Sequence, residues 1–283
     1  MTLDWPVRLF GDRSADSEVA FGGAGTQTAG ALVGLAARVA EELGELDDDC
    51  ATVVACHDRF FFAAAAIGSW MAGHPVTLPP NTQPATIRGI QDAEPGSIVL
   101  HDTDVTAGID MRRLELAPLD PQQGPVLNPE ERLAKLLTSG STAAPVTHWK
   151  TAYQLIGEAR MLAKHFELQN RRVLACVPAH HLYGLLFGVL SPIVGGGSFS
   201  RTSPLQPQSL AKCLSDERAS VLVSVPPQLT AISNTLGLEF PSVHAIFSSG
   251  GPLDEAVATS LADRWCAVTE VLDSTSGGHG GPG

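Results

Sequence analysis

Apolar residues recur along this chain with two different periods. In residues 28–44, Leu32, Leu35, Val39 and Leu43 fall three or four positions apart and Gly44 follows as a stop, which predicts an amphipathic helix. The runs "ATVVAC", "PVTLPP" and "GSIVLHD" have the length of buried strands. Between them, "RFFFAAAAIGSWMAGH" predicts a helix that is apolar almost all round and ends near Gly73, and "PATIRGIQDA" predicts a second helix. Farther on, "LAKLLTSGST" reads as strand then loop, with His148 and Trp149 opening the helix "AYQLIGEARMLAKHF". "RRVLACVP", "SVLVSV", "HAIFSSG" and "AVTEVL" are strands, separated by the helices "LLFGVLSPIV", "SLAKCLSDER", "PPQLTAISNTL" and "DEAVATSLADRW". In the last helix Val257, Leu261 and Trp265 form one stripe, Asp254 is placed to cap it, and Leu253 with Ala258 can staple it.

This alternation predicts an α/β fold of layered βα repeats, with mostly parallel sheets covered by helices on both faces. Pro118, Pro121, Pro125 and Pro129 interrupt the pattern. The expected organisation is therefore a first α/β subdomain over 1–104, an irregular connection over 105–132 and a second α/β subdomain over 133–272. The tail 273–283, "STSGGHGGPG" after Asp273, has no apolar residue to bury and is expected to be disordered.

Composition narrows the function. The chain has 283 residues, 44% hydrophobic and only 17% charged, which fits a compact core. A formal net charge of −12 argues against a nucleic-acid partner, since phosphate backbones are held by clustered Lys and Arg. An anionic small ligand needs only a local pocket. Five scattered cysteines without a CxxC pair, and no basic-then-apolar leader, point to reduced thiols and a cytoplasmic location. The longest uncharged run, Leu182 to Phe199, carries Pro192 and several glycines, so it reads as a buried helix and turn, not a membrane span.

Three glycine-bearing loops follow predicted strands: "TSGST" (Thr138–Thr142), "PAHHLYG" and "SSGGPL". Ligands of open α/β sheets bind outside the carboxyl ends of the strands, and three such loops in register point at one place. Thr138, Ser139, Gly140, Ser141 and Thr142 offer four hydroxyls and closely spaced backbone N–H groups, a concave array that suits phosphate. The same residues are also the ordinary makings of a turn. Lys150 can add a point charge or lie as a solvated surface lysine. Gly250 and Gly251 suit a close ligand approach or a plain strand-to-helix turn. His180 and His181 lack a third ligand at metal spacing, and Cys176 reads as a buried strand residue.

"LLTSGSTAAP" resembles the phosphate-binding loop T-S-G-[ST]-T-G-x-P-K-G of the adenylate-forming superfamily, which includes acyl-CoA and aryl-CoA synthetases. "VPAHHLYGLLFGVL" resembles its P-x-x-H-x-x-G-L segment, with His181 on the motif histidine. "SVPPQLTAI" followed by "AIFSSGGPLDEAV", and upstream "FFFAAAAIGSWMAGHPVTLPP", resemble further segments in the family's order. The resemblance implies AMP-forming acid–thiol ligation. A carboxylic acid and Mg-ATP give an acyl or aryl adenylate, and a thiol of CoA or an acyl-carrier protein then displaces AMP. It implies ATP and Mg2+ as cofactors, Thr138–Thr142 on the phosphates, His181 at the carboxylate, and Ser249, Gly250, Gly251 and Thr275 around the acyl chain and adenine.

The chain departs from that pattern at several positions. Ala143, Val146 and Thr147 stand where the family has glycine, lysine and glycine. Leu272, Asp273 and Ser276 replace the aromatic, the glycine and the metal-binding glutamate, for which Asp273 or Glu270 is a substitute. The family's C-terminal lid with its catalytic lysine is absent, which makes the expected chain incomplete alone or dependent on a separate lid-bearing chain. The alternative expectation is a non-catalytic relative or partner subunit that binds an acyl or aromatic acid.

Overall fold

The computed structural model describes residues 5–23, 25–44, 51–104, 107–138 and 146–271; the side chains of Thr138 and Val146 are outside the description. The N-terminal segment holds β1 (Val7–Arg8), β2 (Glu18–Phe21) and β3 (Gln27–Thr28), followed by α1 (Ala29–Leu43). Then come β4 (Thr52–Ala55), α2 (Arg59–Met71), β5 (Val76–Leu78), α3 (Pro84–Ala93) and β6 (Ile98–His101). The connection contains β7 (Ile109–Asp110), β8 (Val126–Leu127) and two 3-10 turns. Next are β9 (Arg132–Thr138), β10 (Val146–Thr151), α4 (Ala152–His165) and β11 (Arg172–Ala175). Residues 182–194 are one helical stretch, α5 (Leu182–Leu185) and α6 (Ser191–Val194) joined by a π turn over Leu186–Leu190. The rest is β12 (Ser198–Ser200), α7 (Pro207–Asp216), β13 (Val221–Ser224), α8 (Pro226–Ser233), β14 (Ala245–Ser248), α9 (Glu255–Arg264) and β15 (Val268–Glu270).

Two large sheets organise these elements. One has the order β10-β9-β5-β4-β6-β7 and the other β15-β14-β13-β11-β12-β2-β3, with β1 and β8 forming a separate pair. Both are parallel except at one edge each, where β10 runs against β9 and β3 against β2. The α/β prediction is therefore correct. The predicted division of the chain does not match the sheets. Residues 132–151 complete the first sheet, and residues 18–28 add an edge to the second. Chain order placed them in the wrong halves because pairing is decided by long-range burial, not by proximity in sequence.

Local signals explain the helices well. Thr28 caps α1 through its hydroxyl, and Leu32, Leu35, Val39 and Leu43 are all buried. Asp58 caps α2, accepting from the Phe60 N–H at 2.9 Å. The α2 run of alanines and Gly68 lets α1 come very close: a Cβ on Gly68 would lie 2.5 Å from the Ala36 carbonyl oxygen. Trp70 then donates to the Leu133 carbonyl at 2.8 Å, tying α2 to β9. Asp254 caps α9, with Leu253 and Ala258 in one apolar cluster as predicted. His148 and Trp149 correct the prediction, for they lie in β10 and not in a helix. Their register against Leu136 and Lys135 pairs them into the first sheet before Thr151 caps α4. No helix among the described residues is long and apolar enough to cross a membrane. The tail 273–283 lies outside the described residues.

Candidate functional site

Six neighbouring strands of the second sheet, β15, β14, β13, β11, β12 and β2, run parallel, so their carboxyl ends share one side. A cavity of about 950 Å³ opens there. Five of those strands contribute its walls through their last residues and the loops beyond them. Cys176, Val177, Pro178, His181 and Tyr183 come after β11, Leu205 after β12, and Val225 and Gln228 after β13. Ser249, Gly250, Gly251 and Pro252 come after β14, while Glu270 ends β15 and Val271 follows it. This is where an open parallel sheet is built to receive a ligand.

The structure thus brings together four residues singled out in the sequence: His181, Ser249, Gly250 and Gly251. Ser249 is buried, and Gly250 has φ +88°, a conformation that disfavours any side chain. A Cβ on Gly250 or Gly251 would meet no protein atom within 4 Å, so both present bare backbone to open space. The ring of His181 lies against that of His180 in a tilted arrangement, with centroids 4.5 Å apart and planes at 58°. Desolvation lowers the pKa of both; that of His180 falls to about 4, with the neighbouring His181 and His57 adding to the effect. Both rings are neutral acceptors and donors near pH 7, not cations.

Other walls are apolar or neutral. Cys176 is buried and its thiol is pushed up to about 12 by burial, which leaves it unreactive. The Tyr183 hydroxyl is buried without a hydrogen bond of ordinary geometry, close to the backbone of Ser224, and desolvation raises its pKa. Gln228 bridges the sheet ends, accepting from the Ser224 hydroxyl at 2.9 Å and donating to the Cys176 carbonyl at 3.3 Å. Glu270 is held by one oxygen, which accepts from the Leu253 N–H at 2.9 Å. It is the one carboxylate among the described lining residues.

The other predicted residues fall differently. Thr138 ends β9 and pairs with Val146 across the hairpin; Ser139, Gly140, Ser141, Thr142 and Thr275 lie outside the described residues. The strand carrying "TSGST" belongs to the first sheet, whereas the other two loops belong to the second, so the three are not in register on one sheet. Lys150 is 6% exposed in β10 and pairs with Ala134, four positions from the Val146–Thr138 pair. That is roughly 13 Å of strand. The loop itself lies outside the described residues. Among the described residues no group of three or more His, Cys, Asp or Glu comes together as a metal site. Tyr183 belongs to the "PAHHLYG" loop and Gln228 to the "SVPPQLTAI" segment, but Leu205 carried no sequence signal, since only the strand order of the second sheet brings it to the cavity.

The AMP-binding enzyme family model matches residues 13–274. A 4-coumarate–CoA ligase of Cereibacter sphaeroides is 42% identical over 148 residues, covering 50% of this chain and 33% of that protein. A second, from Rhodobacter capsulatus, is 31% identical over 156 residues, covering 53% of this chain and 40% of that protein. This chain therefore spans well under half the length of those two relatives. The o-succinylbenzoate CoA synthetase of Bacillus subtilis superposes with a TM-score of 0.80 at 15% identity, over 93% of this chain and 57% of that one. The ATP-bound MatB structure from Rhodopseudomonas palustris superposes with a TM-score of 0.72 at 20% identity, over 97% and 58%. With a family match over nearly its whole length, and a cavity where that fold places one, the chain belongs to the AMP-binding enzyme family, the adenylate-forming superfamily that its loops resemble.

Proposed function

We propose that this chain carries the nucleotide- and acid-binding core of an AMP-forming acid–thiol ligase. An acid carboxylate oxygen bonds to the α-phosphorus of ATP as the bond to the pyrophosphate oxygen breaks. The thiol of CoA or a carrier protein then attacks the acyl carbon and AMP leaves. Such chemistry needs positioning and charge neutralisation more than a protein nucleophile. The observation that carries the reading is the meeting of His181, Ser249, Gly250 and Gly251 in one cavity at the carboxyl ends of parallel strands. Glu270 fits a magnesium ion, because Mg2+ is held by one or two carboxylates together with phosphate oxygens. When bound, the ion neutralises charge on the phosphates.

The lining also narrows the acid. No Lys or Arg is among the described residues that line the cavity, and the walls are mostly apolar. A second carboxylate would be buried unpaired there at a cost of several kcal/mol. The acid is thus a monocarboxylate with an uncharged, apolar or aromatic tail.

Pyrophosphate exchange, with hydroxylamine trapping of the adenylate, tests this with cinnamate, octanoate and malonate. Exchange with the first two and none with malonate is expected. ATP binding without exchange for any acid overturns the ligase reading in favour of a binding protein. Replacing Ser141 and Thr142 together by alanine removes two hydroxyls from the proposed phosphate loop and should weaken ATP binding about tenfold by calorimetry. Unchanged ATP affinity in that double variant would remove the loop from the site.

A further inference from the structure

The first residue of α2 is an arginine that is 2% exposed and sits among the strand ends of the second sheet. Arg59 Nη2 donates to the carbonyls of Ala175 at 3.2 Å and Val177 at 2.8 Å, and to the Ser203 hydroxyl at 2.9 Å. Nη1 donates to the Ser200 carbonyl at 2.5 Å, the Ser200 hydroxyl at 3.2 Å and the Thr202 carbonyl at 3.3 Å. Two segments supply all six acceptors. One leads from β11 into Val177 and His181, the other from β12 into Leu205, and both line the cavity. Among the described residues no carboxylate pairs with Arg59; its neighbour Asp58 is engaged by Arg201 at 2.6 Å. Burial lowers its pKa to about 10, with Cys176 and Asp58 opposing the shift, so it stays charged.

A buried cation without a carboxylate is costly, and an apolar side chain would fill the same space at less cost. The planar guanidinium gains only where a fork of donors must hold several carbonyls at fixed spacing. We propose that Arg59 is a positioning residue: it sets the separation of the two cavity walls, and through Val177 the placement of the His181 turn. The proposal rests on reading the cavity as the acid site. A lysine at this position keeps the charge but reaches only one wall.

The full 283-residue chain is compared with its Arg59→Lys and Ser203→Ala variants by amide hydrogen exchange and by calorimetry with cinnamate and AMP. In Arg59→Lys, amides at Ala175–Cys176 and at Ser200–Arg201 should lose protection together, about tenfold, while Ala63–Ser69 in the middle of α2 stay protected. Cinnamate should bind about tenfold more weakly to the cooperatively folded variant, as expected when binding groups shift by about an ångström. Ser203→Ala cuts one arm only and should weaken cinnamate about threefold. Exchange that rises on one wall alone or throughout α2 overturns the proposal, as does cinnamate affinity within about twofold of wild type in Arg59→Lys. If the wild-type chain binds neither cinnamate nor AMP, the functional reading fails, and the exchange result still decides whether Arg59 couples the walls.

Discussion

His180 links the site to pH. Its folded pKa is about 4 against an ordinary 6.5, chiefly because burial strips water from the charged ring. The unfolded chain therefore binds the extra proton between those values, and the folded chain does not. The stability contributed by neutral His180 is present above about 6.5 and is lost as pH falls toward 4. Thermal midpoints should drop across that window, and His180→Gln should flatten the drop; an unchanged slope in the variant would assign it to other groups. Tyr183 makes the opposite kind of prediction. A hydroxyl buried without a good partner costs desolvation and returns little. Tyr183→Phe should leave stability within about 1 kcal/mol or raise it, as read by urea unfolding. A loss well beyond that would mean the hydroxyl has a bonded partner in solution.

Close packing between elements carries the site's geometry. The turn after β11 is pressed against α5, where a Cβ on Gly184 would fall 2.0 Å from the Pro178 carbonyl oxygen. Gly184→Ala must push Pro178 and His181 outward, at a cost of about 1–3 kcal/mol typical of overpacking. Urea unfolding reads that cost, and a lower pyrophosphate exchange rate at saturating ATP reads the displaced loop; a variant as stable and active as the parent would show that the turn is loose. The elements themselves were largely legible beforehand. α1 and α9 announce themselves by period and caps, and β4, β6, β13 and β14 by short apolar runs. What escaped were short edge strands such as β3 and β10, whose residues carry no alternating pattern and become strands only because a neighbour offers an edge. The candidate site divides in the same way. His181 and Ser249–Gly251 stand in loops recognisable by their small residues, whereas Arg59 reads as one more polar position before an apolar helix. Its role exists only once α2 is laid against the ends of β11 and β12.

At the scale of the whole molecule each sheet takes strands from beyond its own stretch of the chain. Residues 18–28 finish the second sheet, residues 132–151 finish the first, and one apolar cluster runs through both from Val7 to Phe247. Arg59 from the first half reaches the strand ends of the second, as does Arg201 paired with Asp58. Cutting the chain within 107–131 therefore should not release two domains, despite the proline-rich composition there. A fragment of 1–104 would leave one edge of β5 unpaired and β2 without β12; a fragment of 133–283 would leave β12 with an open edge and β10 without most of its sheet. Exposed parallel edges and a divided core favour aggregation or collapse over folding. Each fragment alone should show no cooperative thermal transition by circular dichroism, and mixing the two should restore one transition together with AMP binding. A sharp independent transition in the 133–283 fragment would mean that the second sheet is self-sufficient. The first half would then act on the cavity through contacts such as those of Arg59 and Asp58, and supplying the 1–104 fragment would change ligand affinity without changing the fold.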